Sequence, residues 1–403
     1  MNVHGWRTVL AAVALGATMV VAVSAGASTA GVEQRRGGVV NLAMISPLTG
    51  PLSFVGRDNL AAARAAVRYF NARGGVRGRR MQLTVYDDGS NPSEGVIHMQ
   101  RIAGDRRFVG VIGSGFSSVG LAVAPIVSQA EIPYISMASS AAQVTPAKPY
   151  YFMTTATSRL FAYSMARYLR KLRIRRIALM ADNGGFGREG VRNVDELRRG
   201  YRLQIVLRTI FPLTTTSFTS ELARVRDSNA QALWLWNATD RAVTLTKEMR
   251  QLRLRQRLVL TGGNASVTYL QPACPQANGA LINTYLGPVA RYLPRKNPSR
   301  RWALLVDRLL RKQGSTFNYD GFTAVMMFRT AMLRGGFSRD GINRALENRM
   351  KGFVGPGGRY YYSRINHSGL QVSSMVVSRV RNCRFVPVPG QRVAGGRVRA
   401  PRG

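Results

Sequence analysis

From residue 39 onward, short β-rich apolar runs alternate with helical patterns, and around Ser158 the alternation starts again. Strands that alternate with helices of about ten or more residues pair in parallel, because each helix carries the chain back across a sheet face. A sheet covered by helices on both sides buries both faces, so its strands read as nearly continuous apolar runs. "FVGVI" at 108–112 and "ALWLW" at 232–236 are runs of that kind. The chain is therefore predicted to be α/β, with two doubly wound parallel-sheet lobes. Its 403 residues are enough for two proper cores.

In the first lobe, strands are expected at 39–45, 81–86, 108–112 and 132–135. Leu60, Ala63, Val67 and Phe70 share one helical face, and Gly74-Gly75 ends that helix. Asn91-Pro92-Ser93-Glu94 starts another, with Asn as cap and Pro in the first turn. The second lobe reads as strands at 176–180, 204–210, 232–236 and 258–261 between helices at 158–172, 190–199, 217–227 and 242–252. A helix at 319–332 and the Gly-rich "GFVGPGGRYYYS" at 352–363 add elements without a third lobe.

The N-terminus lies outside both cores. Arg7 precedes an apolar stretch over 9–23, too short for a comfortable membrane span and right for a secretory signal. Residues 1–30 read as a signal peptide cleaved near Ala27 or Ala30, which puts the mature chain in a periplasm. An N-terminal anchor is the alternative. Cys274 and Cys383 are the only cysteines, and an isolated pair in an oxidising compartment is a disulfide candidate. Two separate buried thiols are the alternative.

Fifty-eight basic residues face 19 acidic ones, a formal charge of +39, and only six of the basic residues are Lys. An Arg-for-Lys bias often follows a GC-rich genome, but a shortage of Asp and Glu does not. Such a field attracts anions, acidic cell-wall polymers or lipid head groups. Nucleic acid is not an expected partner, because the arginines are scattered singly and no zinc spacing, RNA-binding aromatic signature or heptad-linked basic region is present. Catalysis has little support. The His residues beyond the leader, His98 and His367, read as surface residues, and no Ser-His-Asp set, P-loop or dinucleotide fingerprint appears. No enzyme, cofactor or metal is expected.

Two loops stand out: "GSGFSSVG" at 113–120 and "ISMASSAAQVT" at 135–145. Each follows an apolar run and precedes a helical pattern. Together they offer hydroxyls and backbone N–H groups at strand ends, where open α/β sheets bind small ligands, anions above all.

The stretch 45–92, "ISPLTGPLSFVGRDNLAAARAAVRYFNARGGVRGRRMQLTVYDDGSNP", resembles the periplasmic leucine/isoleucine/valine-binding protein family, the type I substrate-binding proteins of ABC importers. The similarity continues through "FVGVIGSGFSSVG", "IPYISMASS", "RIALMADNGGFGREG" and "FTSELARVRDSNAQALWLW", over roughly 39–388. The resemblance implies two lobes joined by a three-crossing hinge, closing on a ligand. It places lobe 1 at 38–156 with 289–370 returning to it, and lobe 2 at 157–288 with 371–388 returning. Residues 389–403 read as a basic disordered tail. In that layout Cys274 and Cys383 both fall in lobe 2. The implied partners are a small carboxylate ligand, most simply a branched-chain or other amino acid, and membrane permease subunits; the protein is expected to be a monomer. An aromatic-acid or amide binder of the same transporter type, or a sensor subunit, is the alternative.

The resemblance also implies site residues. Ser117, Ser139 and Ser140 match the first-lobe positions that hold a ligand carboxylate, and Phe186 matches a second-lobe aromatic. Phe54, Phe116 and Trp236 are candidate walls of an apolar pocket. The family's amino-acid binders hold the ammonium with a Glu in a second-lobe loop, but here that loop reads "LTGGNAS" (260–266) and has no acid. An amino-acid ligand then needs another acid, since an unpaired buried ammonium is costly. Asp240, Asp182 and Asp320 are the candidates, and Asp240 is nearest in sequence to a ligand-facing strand end.

Overall fold

A computed structural model describes residues 37–238, 240–393 and 396–399. The expected leader at 1–30 lies outside the described residues. The chain enters through β1 (Val39–Ser46), α1 (Ser53–Asn71), β2 (Arg80–Asp87), α2 (Pro92–Gly104), β3 (Phe108–Ile112), α3 (Ser117–Gln129), β4 (Tyr134–Ser136) and β5 (Tyr151–Met153). These strands form one parallel sheet in the order β2-β1-β3-β4-β5. Along β1 the side chains alternate between two cores. Leu42 and Met44 pack with Ala62, Ala63 and Ala66 of α1. Ala43 and Ile45 pack with Met99, Ile102, Val119 and Val123 of α2 and α3. Period-2 alternation with apolar residues on both faces is what a doubly covered parallel strand requires.

The chain then crosses to α4 (Ser158–Lys171), β6 (Arg176–Asp182), α5 (Gly185–Tyr201), β7 (Gln204–Phe211), α6 (Thr219–Asp227), β8 (Ala232–Trp236), α7 (Arg241–Gln251), β9 (Arg257–Leu260), α8 (Val267–Ala273) and β10 (Leu281–Thr284). It returns to the first lobe through α9 (Pro298–Leu310), α10 (Thr316–Gly335), α11 (Arg339–Arg349) and the small hairpin β11 (Phe353–Gly355) and β12 (Gly358–Tyr360). A final crossing brings β13 (Val376–Arg381) and β14 (Arg384–Pro387) back to the second sheet, ordered β14-β13-β10-β9-β8-β6-β7. β13 and β14 run antiparallel at its edge and the rest is parallel. Three crossings therefore join two parallel-sheet lobes. In the second lobe Leu179 and Ala181 face one core, and Ala178 and Met180 the other.

Local signals explain the element ends. The Asn91 side chain accepts the Ser93 N–H at 2.9 Å and caps α2. Ser315 and Asn318 cap α10 reciprocally. Cys274 and Cys383 are bonded, with Cα atoms 5.7 Å apart, and tie the end of α8 to the β13–β14 turn.

Two expectations need correction. Residues 389–399 do not form a loose tail in their described part. Arg392–Val393 (β15) pairs with Gly396–Arg397 (β16), and Val393 and Val398 bury against Leu286, Val289 and Val376. His367 is not at the surface: its ring stacks on Phe152 at 4.3 Å, and its Nδ1 lies 2.9 Å from the Tyr151 carbonyl oxygen. Burial lowers its pKa.

Candidate functional site

The C-terminal ends of both sheets face each other across a cleft. Its interior is a cavity of about 520 Å³, open solvent at its mouth included. The first lobe contributes Gly115, Phe116 and Ser117 from the turn into α3, and Met137 and Ser139 from the loop after β4. Thr155 enters from the first crossing. The Ser139 and Thr155 hydroxyls lie 3.2 Å apart, and the Ser140 N–H donates to Ser117 Oγ at 3.3 Å. Ser117 is the first residue of α3 and does not cap it. Two hydroxyl groups beside a helix N-terminus form an anion-accepting corner.

The second lobe supplies an aromatic wall. Phe161 and Phe186 line the cavity and meet edge to face, with centroids 6.3 Å apart. The fully buried Trp236 stands behind Phe186 at 5.3 Å and does not line the cavity. Gly190 makes room for that indole, since a Cβ there would sit 2.1 Å from it. Gly262 does the same for Phe161, whose ring a Cβ would meet at 2.5 Å. The "LTGGNAS" loop thus brings bare backbone to the cavity at Gly262 and Gly263, where a bulkier residue would displace the wall.

Two carboxyl groups reach the cavity, and neither is Asp240. Asp182 ends β6 and is buried; its Oδ1 accepts the Gly184 N–H at 3.0 Å. Burial raises its pKa from 3.8 to about 7, against the lowering effect of N–H groups from Gly184, Ala238 and Gly187. Asp320 enters from α10 at the hinge. One of its oxygens accepts the Tyr285 hydroxyl at 2.5 Å, and its Oδ1 is buried without a hydrogen-bond partner. Burial holds its carboxyl well above the usual range. Among the described residues, no Lys, Arg or His lines the cavity.

Of the residues expected at the site, Phe116, Ser117, Ser139 and Phe186 line the cavity. The other four do not. Phe54 packs edge-on behind the lining residue Phe317 at 5.7 Å. Trp236 is the second layer described above. The Ser140 hydroxyl donates to Glu189. Asp240 lies at the start of α7 with a 60% exposed side chain 3.8 Å from Arg241, so solvent removes it from any buried pairing. Proximity in sequence to a strand end misplaces it: Asn237 is buried, whereas Asp240 is in solvent. Sequence reasoning missed Phe161, Tyr285, Phe317 and Thr155. Phe161 lies in the first turn of α4, just past the first crossing, and the other three belong to the crossings and the return helix; their approach to the cleft depends on how the lobes are joined.

The periplasmic binding protein family model matches residues 39–384. A Leu/Ile/Val-binding protein homolog from Brucella melitensis is 22% identical over 308 residues, covering 75% of this chain and 80% of that protein. The Leu/Ile/Val-binding protein of Escherichia coli is 25% identical over 247 residues, covering 60% of this chain and 66% of that protein, just under two thirds of its length. A Rhodopseudomonas palustris solute-binding protein solved with benzoate has a TM-score of 0.78 at 17% identity, over 90% of this chain and 98% of its own. A Streptococcus pneumoniae branched-chain amino acid transporter binding protein solved with isoleucine gives 0.75 at 18% identity, over 86% and 97%. Two lobes joined by three crossings and a family match over residues 39–384 lead to one assignment: this chain belongs to the periplasmic binding proteins, a family that binds and does not transform its ligands.

Proposed function

We propose that this protein is the extracytoplasmic substrate-binding protein of an ABC importer, and that it captures an amino acid with an apolar side chain between its lobes. It then hands the amino acid to permease subunits at the membrane. One observation carries the reading. The cavity is walled by Leu52, Phe116, Met137, Phe161, Phe186 and Phe317, holds two buried carboxyl groups, and among the described residues has no basic side chain. A ligand ammonium would neutralise a carboxylate there. The ligand carboxylate falls to the Ser117, Ser139 and Thr155 corner. Buried charges that lack a partner are costly, so the acids favour a ligand that brings a positive group.

The benzoate-bound relative of the fold suggests a second reading, in which neutral Asp182 or Asp320 donates a proton to an aromatic acid. The two readings have opposite pH slopes. Binding of an ammonium to Asp182 requires an ionised carboxylate, so affinity rises with pH up to the Asp182 value of about 7 and flattens above it. Binding of a bare carboxylate to a protonated acid weakens over the same range. Calorimetry with L-leucine, its deaminated analogue 4-methylpentanoate and benzoate decides between them. L-leucine is expected to bind at least roughly tenfold more tightly than the analogue. Benzoate binding tightly, with affinity falling as pH rises, would overturn the amino-acid reading.

A further inference from the structure

Glu189 of α5 is buried, belongs to the second lobe and does not line the ligand cavity. Its carboxylate reaches across the cleft to the first lobe. There it accepts the Ser140 hydroxyl and, at 2.8 Å, the Ala141 N–H. Ser140 and Ala141 begin the short 3-10 turn Ala141–Gln143, so the carboxylate satisfies the exposed start of that turn from the opposite lobe. On its own side Glu189 accepts the Ser158 hydroxyl at 2.5 Å, and Asn193 holds Ser158 with a 3.0 Å bond from its Nδ2. No cation is among these partners; hydroxyl and amide donors alone hold the charge. Close by, the Gly185 N–H donates to Ser118 Oγ at 3.0 Å, also across the cleft.

We infer that Glu189 is a latch for the closed state: a positioning residue that sets ligand affinity without touching ligand. Opening the lobes separates Glu189 from Ser140 and Ala141 while leaving Ser158 and Asn193 in place. The first-lobe half of the latch thus exists only in the closed form. A ligand held only in the closed form binds in proportion to how often the protein closes, so loss of the latch weakens binding through the closed population. Ser140 then serves closure, and the hydroxyls left for ligand are those of Ser117, Ser139 and Thr155.

The test needs no ligand and stands apart from the amino-acid reading. Glu189→Gln, Ser140→Ala and the double variant are compared with the parent by small-angle scattering and by hydrogen exchange at the Ala141 amide, all without added ligand. Each single variant is expected to expand, and the Ala141 amide to exchange at least tenfold faster. The double variant should be no more open than Glu189→Gln alone, because both changes cut the same connection. A role confined to the second lobe would lower the melting temperature and loosen the start of α4 while Ala141 stays protected and scattering is unchanged. That result, or parent-like behaviour of Ser140→Ala, overturns the latch. Ser140→Ala removes one hydroxyl of the first lobe and no charge, and keeps the test usable if Glu189→Gln folds poorly.

Discussion

Asp182 and Asp320 are the residues on which ligand choice turns, and each carries a stability cost that pH exposes. In the unfolded chain Asp182 ionises near 3.8; in the fold it keeps its proton to about 7. Between these values the folded state binds more protons than the unfolded one. Stability therefore declines as pH rises through that window and levels off above about 7. Asp182→Asn keeps an oxygen for the Gly184 N–H and removes the charge. The ligand-free variant is expected to melt higher than the parent at about pH 8, by up to a few kcal/mol, and to match it near pH 4. Differential scanning calorimetry across pH checks this; a constant difference at all pH values would mean that Asp182 does not titrate in this range. Both acids were visible in the sequence as candidates, but their depth was not. What separates them from Asp240 is burial, set by how β6, α10 and the second crossing converge, and no local pattern encodes that convergence.

At the scale of elements, the strands were legible, as were the starts of α2 and α4, but two other helix starts were not. β3 and β8 fall where the apolar runs place them. α3 begins at Ser117, inside the loop read at 113–120, and α5, expected from 190, begins at Gly185. In both cases Gly and Ser at a strand end read as loop. They are first helical turns, with small residues because another backbone lies against them: a Cβ on Gly187 would meet the Asp182 carbonyl oxygen at 2.2 Å. The same crowding offers a test. Gly190→Ala pushes a methyl against the Trp236 indole, which supports Phe186. The expected loss is about 1–3 kcal/mol of stability, with altered tryptophan fluorescence and weaker ligand binding. An unchanged emission spectrum and melting temperature would show that Trp236 has room to move.

At the scale of the molecule, the three crossings, the latch and the disulfide divide the labour of closing. With a ligand that binds, L-leucine on the reading above, scattering should show a smaller radius of gyration at saturation; an unchanged profile would argue against closure as the mode of capture. The two-lobe plan was legible because the βα alternation restarts at Ser158, whereas the packing of residues 389–399 was not, since its Gly- and Arg-rich text has the composition of a tail. The bridge from Cys274 to Cys383 joins two points of the second lobe, so it leaves the crossings free to bend. It also has a mechanical meaning. Tension applied between the chain ends passes through the bond and bypasses the 109-residue separation that it spans. That stretch contains two of the three crossings and all of α9 to α11. Only the first crossing lies in the path of the force. A single oxidised molecule pulled to full extension should therefore stop about 390 Å short of the reduced one.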